Sequence, residues 1–300
     1  MFSRSSWLHI RVPFSYFLLP VFLFSLSASP NFTEPRLFWV FFIIHFLLYP
    51  ASNGYNSYFD KDEKSIGGLK NPPPVKKELY YFSLALDILA IVLGYLKINF
   101  TFAFMILVYG LMSKAYSHPA IRLKKYPIAG WLIVSVFQGF FTFVMCYVGV
   151  NNFEIENALQ TSVLVPAILS SALLLGTYPM TQIYQHQEDG ERGDKTFSML
   201  LGIRGTFYFV GGIFTVVFVL FILYFNAFFN STYSLHFLGA LSPVITYFFY
   251  WFLKVLRDES KADHGHTMWL NFTSATCLNI FFVYLFLESS QVLQAIQAGY

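Results

Sequence analysis

A first cluster of amide and carboxylate side chains follows the second long apolar segment of the sequence. It contains Asn53, Asn56 and Asp60, and beyond them Lys64 at a matching interval. If one helix continues through the cluster, positions three and four apart share a face and these side chains point together. Their oxygen atoms would then be placed to hold a hard cation. On spacing alone, a solvated helix end with hydrogen bonds between neighbouring helices is an equally good interpretation.

A second cluster of the same kind follows the sixth apolar segment. Gln182, Gln185 and Asp189 are spaced to share a helix face, and Glu188 lies beside them. Two helix ends that present oxygen ligands toward each other suit Mg²⁺, an ion that retains several waters and normally shares its site with substrate phosphates. The two clusters together are therefore candidates for a magnesium site that serves a phosphorylated substrate.

Basic residues near the clusters would complement the negative charge of such a substrate. The segment 116–125 contains Arg122 and Lys124 close to Tyr116, and Lys61 lies within the first cluster. Lysine and arginine both bind phosphate groups, arginine through two parallel hydrogen bonds. The alternative is that these bases only mark the cytoplasmic side of a membrane protein.

The elements that carry these clusters are too apolar for an ordinary soluble domain. Hydrophobic residues make up 56% of the chain, charged residues 12%, and phenylalanine alone occurs 37 times. A soluble fold could not cover this much apolar surface, whereas helices that face lipid tolerate it. Because a spanning helix needs roughly 20 residues, the chain has room for about nine spans and little else. We predict an all-α integral membrane protein with a single domain over residues 1–300.

Nine apolar segments bounded by charged residues, proline or glycine are the predicted spans. They cover approximately residues 12–29, 37–56, 79–96, 98–113, 128–150, 162–184, 206–227, 235–254 and 268–288. The first segment also resembles a signal peptide, because the small residues at 27–29 could form a cleavage site. We favour an uncleaved span, since Pro13 and Pro20 interrupt the segment and further spans follow throughout the chain.

Positive charge lies almost entirely on one side of this arrangement. The N-terminus and the loops after even-numbered spans contain 17 of the 19 lysines and arginines, which leaves Arg36 and Lys97 for the other side. By the positive-inside rule, the N-terminus and both clusters are cytoplasmic and the C-terminus is outside. The net charge of +3 gives no indication of a nucleic-acid partner.

Single polar residues inside the predicted spans leave two interpretations open. Asp87 and Gln138 either have a functional role, Gln138 by contacting a substrate, or form hydrogen bonds between helices. Cys146 and Cys277 both lie in apolar segments, so we expect buried, unreactive thiols rather than a disulfide.

Four segments, in the same order along the chain, resemble the UbiA superfamily of intramembrane prenyltransferases. Members of that family have nine helices and two aspartate-rich motifs, which follow helices two and six. Segment 56–64 resembles the first motif and segment 185–196 the second, while 116–124 is similar to the loop between helices four and five. Segment 201–205 fits the usual continuation of the second motif. The resemblance covers nearly the whole chain and implies a central polar cavity that opens to the cytoplasm.

The sequence departs from the family pattern at several acidic positions. Three positions where the family has an acid hold other residues: Ser57, Lys64 and Gln185. The direct matches are Asn56, Asp60 and Asp189. Neighbouring acids that could substitute if the local backbone turns them inward are Asp62, Glu63 and Glu188. A site with fewer carboxylates is expected to bind its metal ions more weakly or to place them differently.

The resemblance also implies a reaction and a set of site residues. The reaction is Mg²⁺-dependent transfer of a prenyl group from an isoprenoid diphosphate to a lipophilic acceptor, expected to be aromatic, within the membrane. The implied metal ligands are Asn56, Asp60, Glu188 and Asp189, and the implied catalytic residues are Asp60, Asp189, Lys124 and Arg122. The implied substrate-binding residues are Asn53, Asn56, Tyr116, Gln182, Gln185 and Lys61. We expect the cell inner membrane as the location, membrane lipid as the surroundings, and no obligate protein partner.

Two other functions compete with this prediction. A catalytically inactive homologue that binds lipid or acts as a scaffold would tolerate the missing carboxylates. A small-molecule transporter would use the same polar cavity, but it predicts inverted repeats and broken helices, and the sequence contains no convincing inverted pair.

Overall fold

The computed structural model describes residues 2–290 and 292, and this part of the chain is helical with no β-strand. Nine of its helices are long and apolar enough to span a membrane. In chain order they are α1 (Arg4–Ser27), α2 (Glu34–Asp60), α3 (Glu78–Lys97), α4 (Phe100–Ser117), α5 (Pro127–Asn151), α6 (Thr161–Gln182), α7 (Phe197–Phe228), α8 (Ser231–Arg257) and α9 (His264–Ser289). The predicted all-α membrane class and the number of spans are confirmed.

Several helices extend beyond the apolar segments from which they were predicted. α7 begins at Phe197 rather than near 206, and α1 begins at Arg4 rather than near 12. The start of α1 is stabilised by Ser3, whose side chain accepts a hydrogen bond from the Ser6 backbone N–H. Hydropathy marks only the part of a helix that faces lipid, so it misses polar turns of this kind.

Four interruptions in the helices change the direction of side chains near the motif-bearing end and in the bundle interior. α1 breaks at Arg11, which has φ 46°, and α7 contains Gly202 with φ 69°. α2 and α5 each contain a π-helical turn, Ile43–Leu48 and Val136–Phe141. Such turns add a residue to the helical repeat and occur often at functional sites.

The spans pack as a bundle, and one core of packed aromatic rings lies at one end of it. α1 packs against α5 and α9, α2 against the α3–α4 hairpin, α6 against α5 and α7, and α8 against α7 and α9. Phe24, Phe143, Phe221 and Phe282 are fully buried, and the Phe24 and Phe282 rings stack with centroids 4.4 Å apart. All four lie in the second halves of odd-numbered spans, so this core occupies the end remote from the two polar clusters.

The loop between α2 and α3 folds back over the start of α1. The Oγ of Ser5 donates to the carbonyl oxygen of Pro74 over 2.7 Å, and Nε2 of His9 lies 2.7 Å from the carbonyl oxygen of Pro73. Arg11 donates to the carbonyl oxygen of Gly67 over 3.1 Å. These contacts hold the loop against the bundle, so the first polar cluster has a fixed wall on one side.

Candidate active site

Most of the residues predicted from the sequence meet in one cavity of about 230 Å³. The cavity lies at the end of the bundle where α2, α4 and α6 finish, and the loops that follow them complete its wall. Eight predicted site residues line it: Asn53, Asn56, Asp60, Tyr116, Lys124, Gln182, Gln185 and Asp189. The structure therefore brings together polar segments that are separated by more than a hundred positions in the sequence.

The first cluster does not continue as a helix. α2 ends at Asp60, and Lys61 adopts the left-handed conformation with φ 51°, which reverses the chain. The expected helical face therefore stops at Asp60, and Lys64 lies exposed outside it. The same reversal turns Asp62 inward, where it is 8% exposed and lines the cavity. Lys61 itself is exposed and lies outside the cavity wall.

The second cluster is also broken into two pieces. α6 ends at Gln182, and a short helix, His186–Glu191, follows in a new direction. Gln182, Gln185 and Asp189 therefore do not share one helix face, as their spacing predicted. All three still line the cavity, because the turn between the two helices brings the short helix to its wall.

Glu188 has a different environment from the other predicted ligands. Its carboxylate accepts hydrogen bonds from the backbone N–H groups of Glu63, over 2.9 Å, and Lys64, over 3.4 Å. Glu63 itself is exposed. The Glu188 side chain thus hydrogen-bonds the turn after α2 to the second motif. It does not line the cavity.

A network of ion pairs joins the first motif to the loop after α4. Lys124 forms an ion pair with Asp60 and lies 3.6 Å from a carboxylate oxygen of Asp194. Arg122 donates two parallel hydrogen bonds of 2.8 Å to Asp194 and lies 3.8 Å from Asp60. The sequence prediction included both bases but did not include Asp194, the buried carboxylate that holds them.

Arg192 connects the two motifs directly. One terminal nitrogen pairs with the carboxylate of Asp62, and the other lies 2.7 Å from a carboxylate oxygen of Asp189. Arg192 lines the cavity and was not predicted as a site residue. Its position three residues after Asp189 was the available signal, because residues at that interval are neighbours on a helical turn.

Burial and pairing shift the acidity of the groups in these loops. Burial raises the pKa of Asp189 to about 6, although the hydrogen bond from Arg192 acts in the opposite direction. Burial would also raise the pKa of Asp194, but the hydrogen bonds from Arg122 and the nearby charges of Lys124, Arg122 and Arg192 together outweigh it and lower that pKa below its ordinary value. In return, the bond to Asp194 raises the pKa of Arg122. Arg122 and Asp194 are therefore charged at neutral pH.

Further polar groups that the sequence did not reveal complete the wall. Ser117 donates a hydrogen bond of 2.8 Å to the side-chain oxygen of Asn56, and the hydroxyls of Tyr116 and Tyr178 bond to each other. Arg11, at the break in α1, also lines the cavity. In the sequence, the charge of Arg11 is explained by the positive-inside rule, because a basic residue at the start of a first span marks its cytoplasmic side.

A second, apolar cavity of about 180 Å³ adjoins the polar one. Asn53, Gln138 and Tyr178 line both cavities, so the two are neighbours in the bundle interior. No charged residue lines the second cavity among the residues described, and Phe24 and Phe282 belong to its wall. Gln138 comes from the π-helical turn of α5. The arrangement can hold a charged group in one cavity and an apolar chain in the other.

The structure shows the surroundings of three groups inside the predicted spans, Asp87 and the two cysteines. Asp87 of α3 forms an ion pair with Lys114 of α4, so it does link neighbouring helices. Cys146 and Cys277 are both free thiols; Cys146 is buried as predicted, whereas Cys277 is only partly buried.

The donor atoms at the cavity suit Mg²⁺, although no three His, Cys, Asp or Glu side chains among residues 2–290 and 292 form a ready-made metal cluster. Asn56, Asp60, Asp62 and Asp189 supply amide and carboxylate oxygens to one cavity. Mg²⁺ needs only one or two carboxylates when waters and substrate phosphates provide its other ligands. The residues therefore fit a magnesium ion that binds together with a diphosphate.

Solved structures of similar fold match nearly the full chain. A UbiA homologue from Archaeoglobus fulgidus bound to GPP and Mg²⁺ is 17% identical, with a TM-score of 0.67 over 96% of this chain and 99% of the other. The same homologue bound to DMAPP and Mg²⁺ is 16% identical, with a TM-score of 0.65 over 95% and 98%. A digeranylgeranylglyceryl phosphate synthase is 19% identical, with a TM-score of 0.59 over 96% and 98%.

Comparisons of the sequence itself give one further match. No curated protein sequence matches significantly. The sequence model of the UbiA prenyltransferase family matches residues 17–276, which include both motifs and most of the bundle. The protein therefore belongs to the UbiA prenyltransferase family.

Proposed function

We propose that this protein transfers a prenyl group from an isoprenoid diphosphate to a lipophilic acceptor within the membrane, with Mg²⁺ as cofactor. The observation that carries the proposal is a charged cavity with hard oxygen donors beside a charge-free cavity. An isoprenoid diphosphate likewise combines a charged diphosphate group with an apolar hydrocarbon chain. Family membership supports the reaction, and the Archaeoglobus fulgidus homologue has been solved with GPP or DMAPP together with Mg²⁺.

The proposed donor site uses the two motif ends as metal ligands. Asn56, Asp60 and Asp189 would hold the ion, with Asp62 close by. The chemistry that Mg²⁺ supplies when bound is neutralisation of the diphosphate charge as it departs. Glu188 is assigned as a ligand by the family resemblance alone, and its present bonds favour an indirect role through the turn at 61–64.

Lys124, which lines the cavity, is proposed to stabilise the leaving diphosphate, with Arg122, which lies outside the cavity lining, assisting from behind Asp194. The carbon–oxygen bond breaks, its electron pair stays with the diphosphate, and an allylic cation remains. Preorganised positive groups at the oxygen that gains charge lower the barrier to such a step. Lys124 lines the cavity and is held at its rim by Asp60 and Asp194, so its ammonium is already oriented before the donor binds.

Aromatic rings in the cavity would protect the allylic cation. Tyr109, Tyr116, Phe137 and Tyr178 line the polar cavity, and Phe14 lines both cavities. The π faces of such rings attract cations without offering a strong nucleophile. A carbon or oxygen atom of the acceptor then forms the new bond and the acceptor loses a proton.

The remaining binding groups and the orientation follow from the same arrangement. Asn53 is proposed to contact the substrates at the boundary of the two cavities, Gln182 and Gln185 to contact them within the polar cavity, and Tyr116 to position the diphosphate. Lys61, which is exposed, is retained as a substrate contact only from the family resemblance. The charge distribution supports a cytoplasmic donor site and an external C-terminus. The family resemblance supports the cell inner membrane as the location and residues 1–300 as one domain.

The proposal is tested by calorimetric binding of geranylgeranyl diphosphate to the purified protein in detergent, with and without Mg²⁺. We expect Mg²⁺-dependent binding that is lost in the Asp60→Ala and Asp189→Ala variants. Glu63→Ala is the matched control, because this neighbouring acid is exposed and should leave binding unchanged. Binding that ignores both the metal and the two substitutions, or no binding of this donor or of a longer one, would refute the proposed site.

A further inference from the structure

Arg192 occupies the position between the two motifs where a bridging cation is expected. Its two terminal nitrogens each contact a carboxylate from a different motif, Asp62 from the first and Asp189 from the second. One of them also donates to the backbone carbonyl oxygen of Asp60 over 3.4 Å. The Arg192 guanidinium therefore already joins the two motifs, as a divalent ion bound between them would.

The charges around the cavity explain why a resident cation is tolerated there. Four carboxylates, those of Asp60, Asp62, Asp189 and Asp194, face four basic groups, those of Arg11, Lys124, Arg122 and Arg192. Without the Arg192 charge the group would carry one net negative charge and two unpaired carboxylates. An entering divalent ion would be attracted more strongly to that arrangement than to the neutral one.

Arg192 also has hydrogen-bonding capacity to spare. Its Nε–H is buried and has no hydrogen-bond partner in the described part of the chain, and the side chain lines the cavity. Buried donors of this kind are usually satisfied, and an unpaired one next to a cavity favours a ligand that can accept the bond. The guanidinium fork matches the oxygen geometry of a phosphate group.

We propose that Arg192 is a resident cation that bridges the two motifs, competes with divalent metal for Asp62 and Asp189, and binds the donor diphosphate directly. The competition with metal depends only on the donor-free protein. The contact with diphosphate rests on the proposed function. A purely structural ion pair would stabilise the fold, and its removal would leave the metal affinity unchanged or lower. A competing ion pair weakens metal binding, so its removal would raise the metal affinity.

The first experiment measures Mn²⁺ binding to the donor-free protein in detergent by electron paramagnetic resonance. Arg192→Gln is expected to tighten Mn²⁺ binding by roughly tenfold, because it frees two carboxylates and removes a nearby positive charge. Lys195→Gln is the matched control, since it removes one charge from an exposed residue of the same loop and should change the affinity less than about twofold. Equal or weaker Mn²⁺ binding by Arg192→Gln would overturn the proposal.

A second variant keeps the test decisive if Arg192→Gln fails to give a monodisperse protein. Lysine retains the charge but cannot span two carboxylates with a planar fork. Arg192→Lys should therefore bind Mn²⁺ roughly threefold more tightly than the wild type, and an unchanged affinity would count against the bridging role.

The diphosphate contact is measured separately with geranylgeranyl diphosphate in excess chelator. The wild type should retain weak binding without metal, and Arg192→Gln should lower that affinity by at least roughly tenfold. Equal metal-free affinity in the two proteins would refute the contact. If the wild type binds no donor under any condition, the proposed function fails, and the Mn²⁺ experiment still decides whether Arg192 competes with metal.

Discussion

Replacement of Lys124 is the most informative single perturbation of the proposed mechanism. The Lys124 side chain is 10% exposed, forms an ion pair with Asp60 and lines the polar cavity. A unit charge about 4 Å from another contributes about 4 kcal/mol at an effective dielectric constant of 20. Losing one preorganised group that stabilises a developing negative charge typically lowers a rate by roughly 10²–10³-fold. We therefore expect Lys124→Ala to lower kcat by roughly that factor.

Donor affinity should change less than the rate does. In the ground state the diphosphate shares its charge among several cations, whereas the leaving group gains charge only as the bond breaks. We expect Lys124→Ala to weaken donor binding by about tenfold, and Lys124→Arg, which keeps the charge, to retain most of the rate. The assay follows transfer of a radiolabelled geranylgeranyl group into extractable lipid, with donor binding measured in parallel.

The adjacent Lys125 provides the control for this prediction. Lys125 is exposed and its ammonium lies over the ring of Tyr126, 5.0 Å from the centroid, rather than in the cavity. Lys125→Ala should leave both parameters within about twofold of the wild type. The reasoning is refuted if Lys124→Ala keeps more than a tenth of the wild-type rate, or if Lys125→Ala loses activity to the same extent.

Three further predictions concern the metal, the turn after α2 and the apolar cavity. Because burial raises the pKa of Asp189 to about 6, protons compete with the metal below that pH; Mn²⁺ affinity measured from pH 7 to 5 should fall toward tenfold per unit below pH 6, and a flat profile would contradict the assignment. Glu188→Gln weakens the bonds that hold the turn at 61–64 and should cost about 1 kcal/mol, read as a lower Tm, together with weaker donor binding; unchanged values for both would remove Glu188 from the site. Ser274 lines the apolar cavity, and Ser274→Phe places a ring in it, which should lower geranylgeranyl diphosphate binding by roughly tenfold while sparing dimethylallyl diphosphate; equal losses for both donors would contradict a tail site there.

The spans were predictable because a bilayer imposes simple requirements on a chain. Each crossing helix must satisfy its own backbone hydrogen bonds and present an apolar surface, so segments such as 79–96 and 128–150 reappear with small changes as α3 and α5. The family resemblance then gave the order of the motifs along the chain. Eight predicted site residues consequently meet in one cavity.

The parts that were not predictable depend on backbone reversals and on partners distant in the chain. Lys61 takes a left-handed conformation that few non-glycine residues adopt, and no local signal distinguishes it from a continuing helix. Asp62 therefore turns inward, as the sequence allowed for three neighbouring acids without indicating which of them would do so. Asp194 pairs with Arg122, more than 70 positions away, and Arg192 pairs with Asp62, more than 120 positions away, so these long-range pairs are visible only in the packed bundle.

Basic residues were a particular source of ambiguity in the sequence. Arg11 lies where the positive-inside rule already explains a charge, and the sequence alone gives no reason to assign it a second role, whereas the family resemblance gave Arg122 one. The structure separates the two roles by burial: Arg11 lines the cavity, Arg122 is held by Asp194, and Lys125 is exposed.

The central claim is that this protein transfers prenyl groups at its polar cavity. Metal-dependent product formation tests this claim most directly. Membranes that contain the wild-type protein are incubated with radiolabelled geranylgeranyl diphosphate and Mg²⁺, and the extracted lipid is separated and counted. We predict a labelled lipid that has lost the diphosphate of the donor, that requires Mg²⁺ and that is absent with Asp60→Asn. Binding of the donor without any such product, across donors of different chain length, would contradict the claim and identify the protein as a catalytically inactive member of its family.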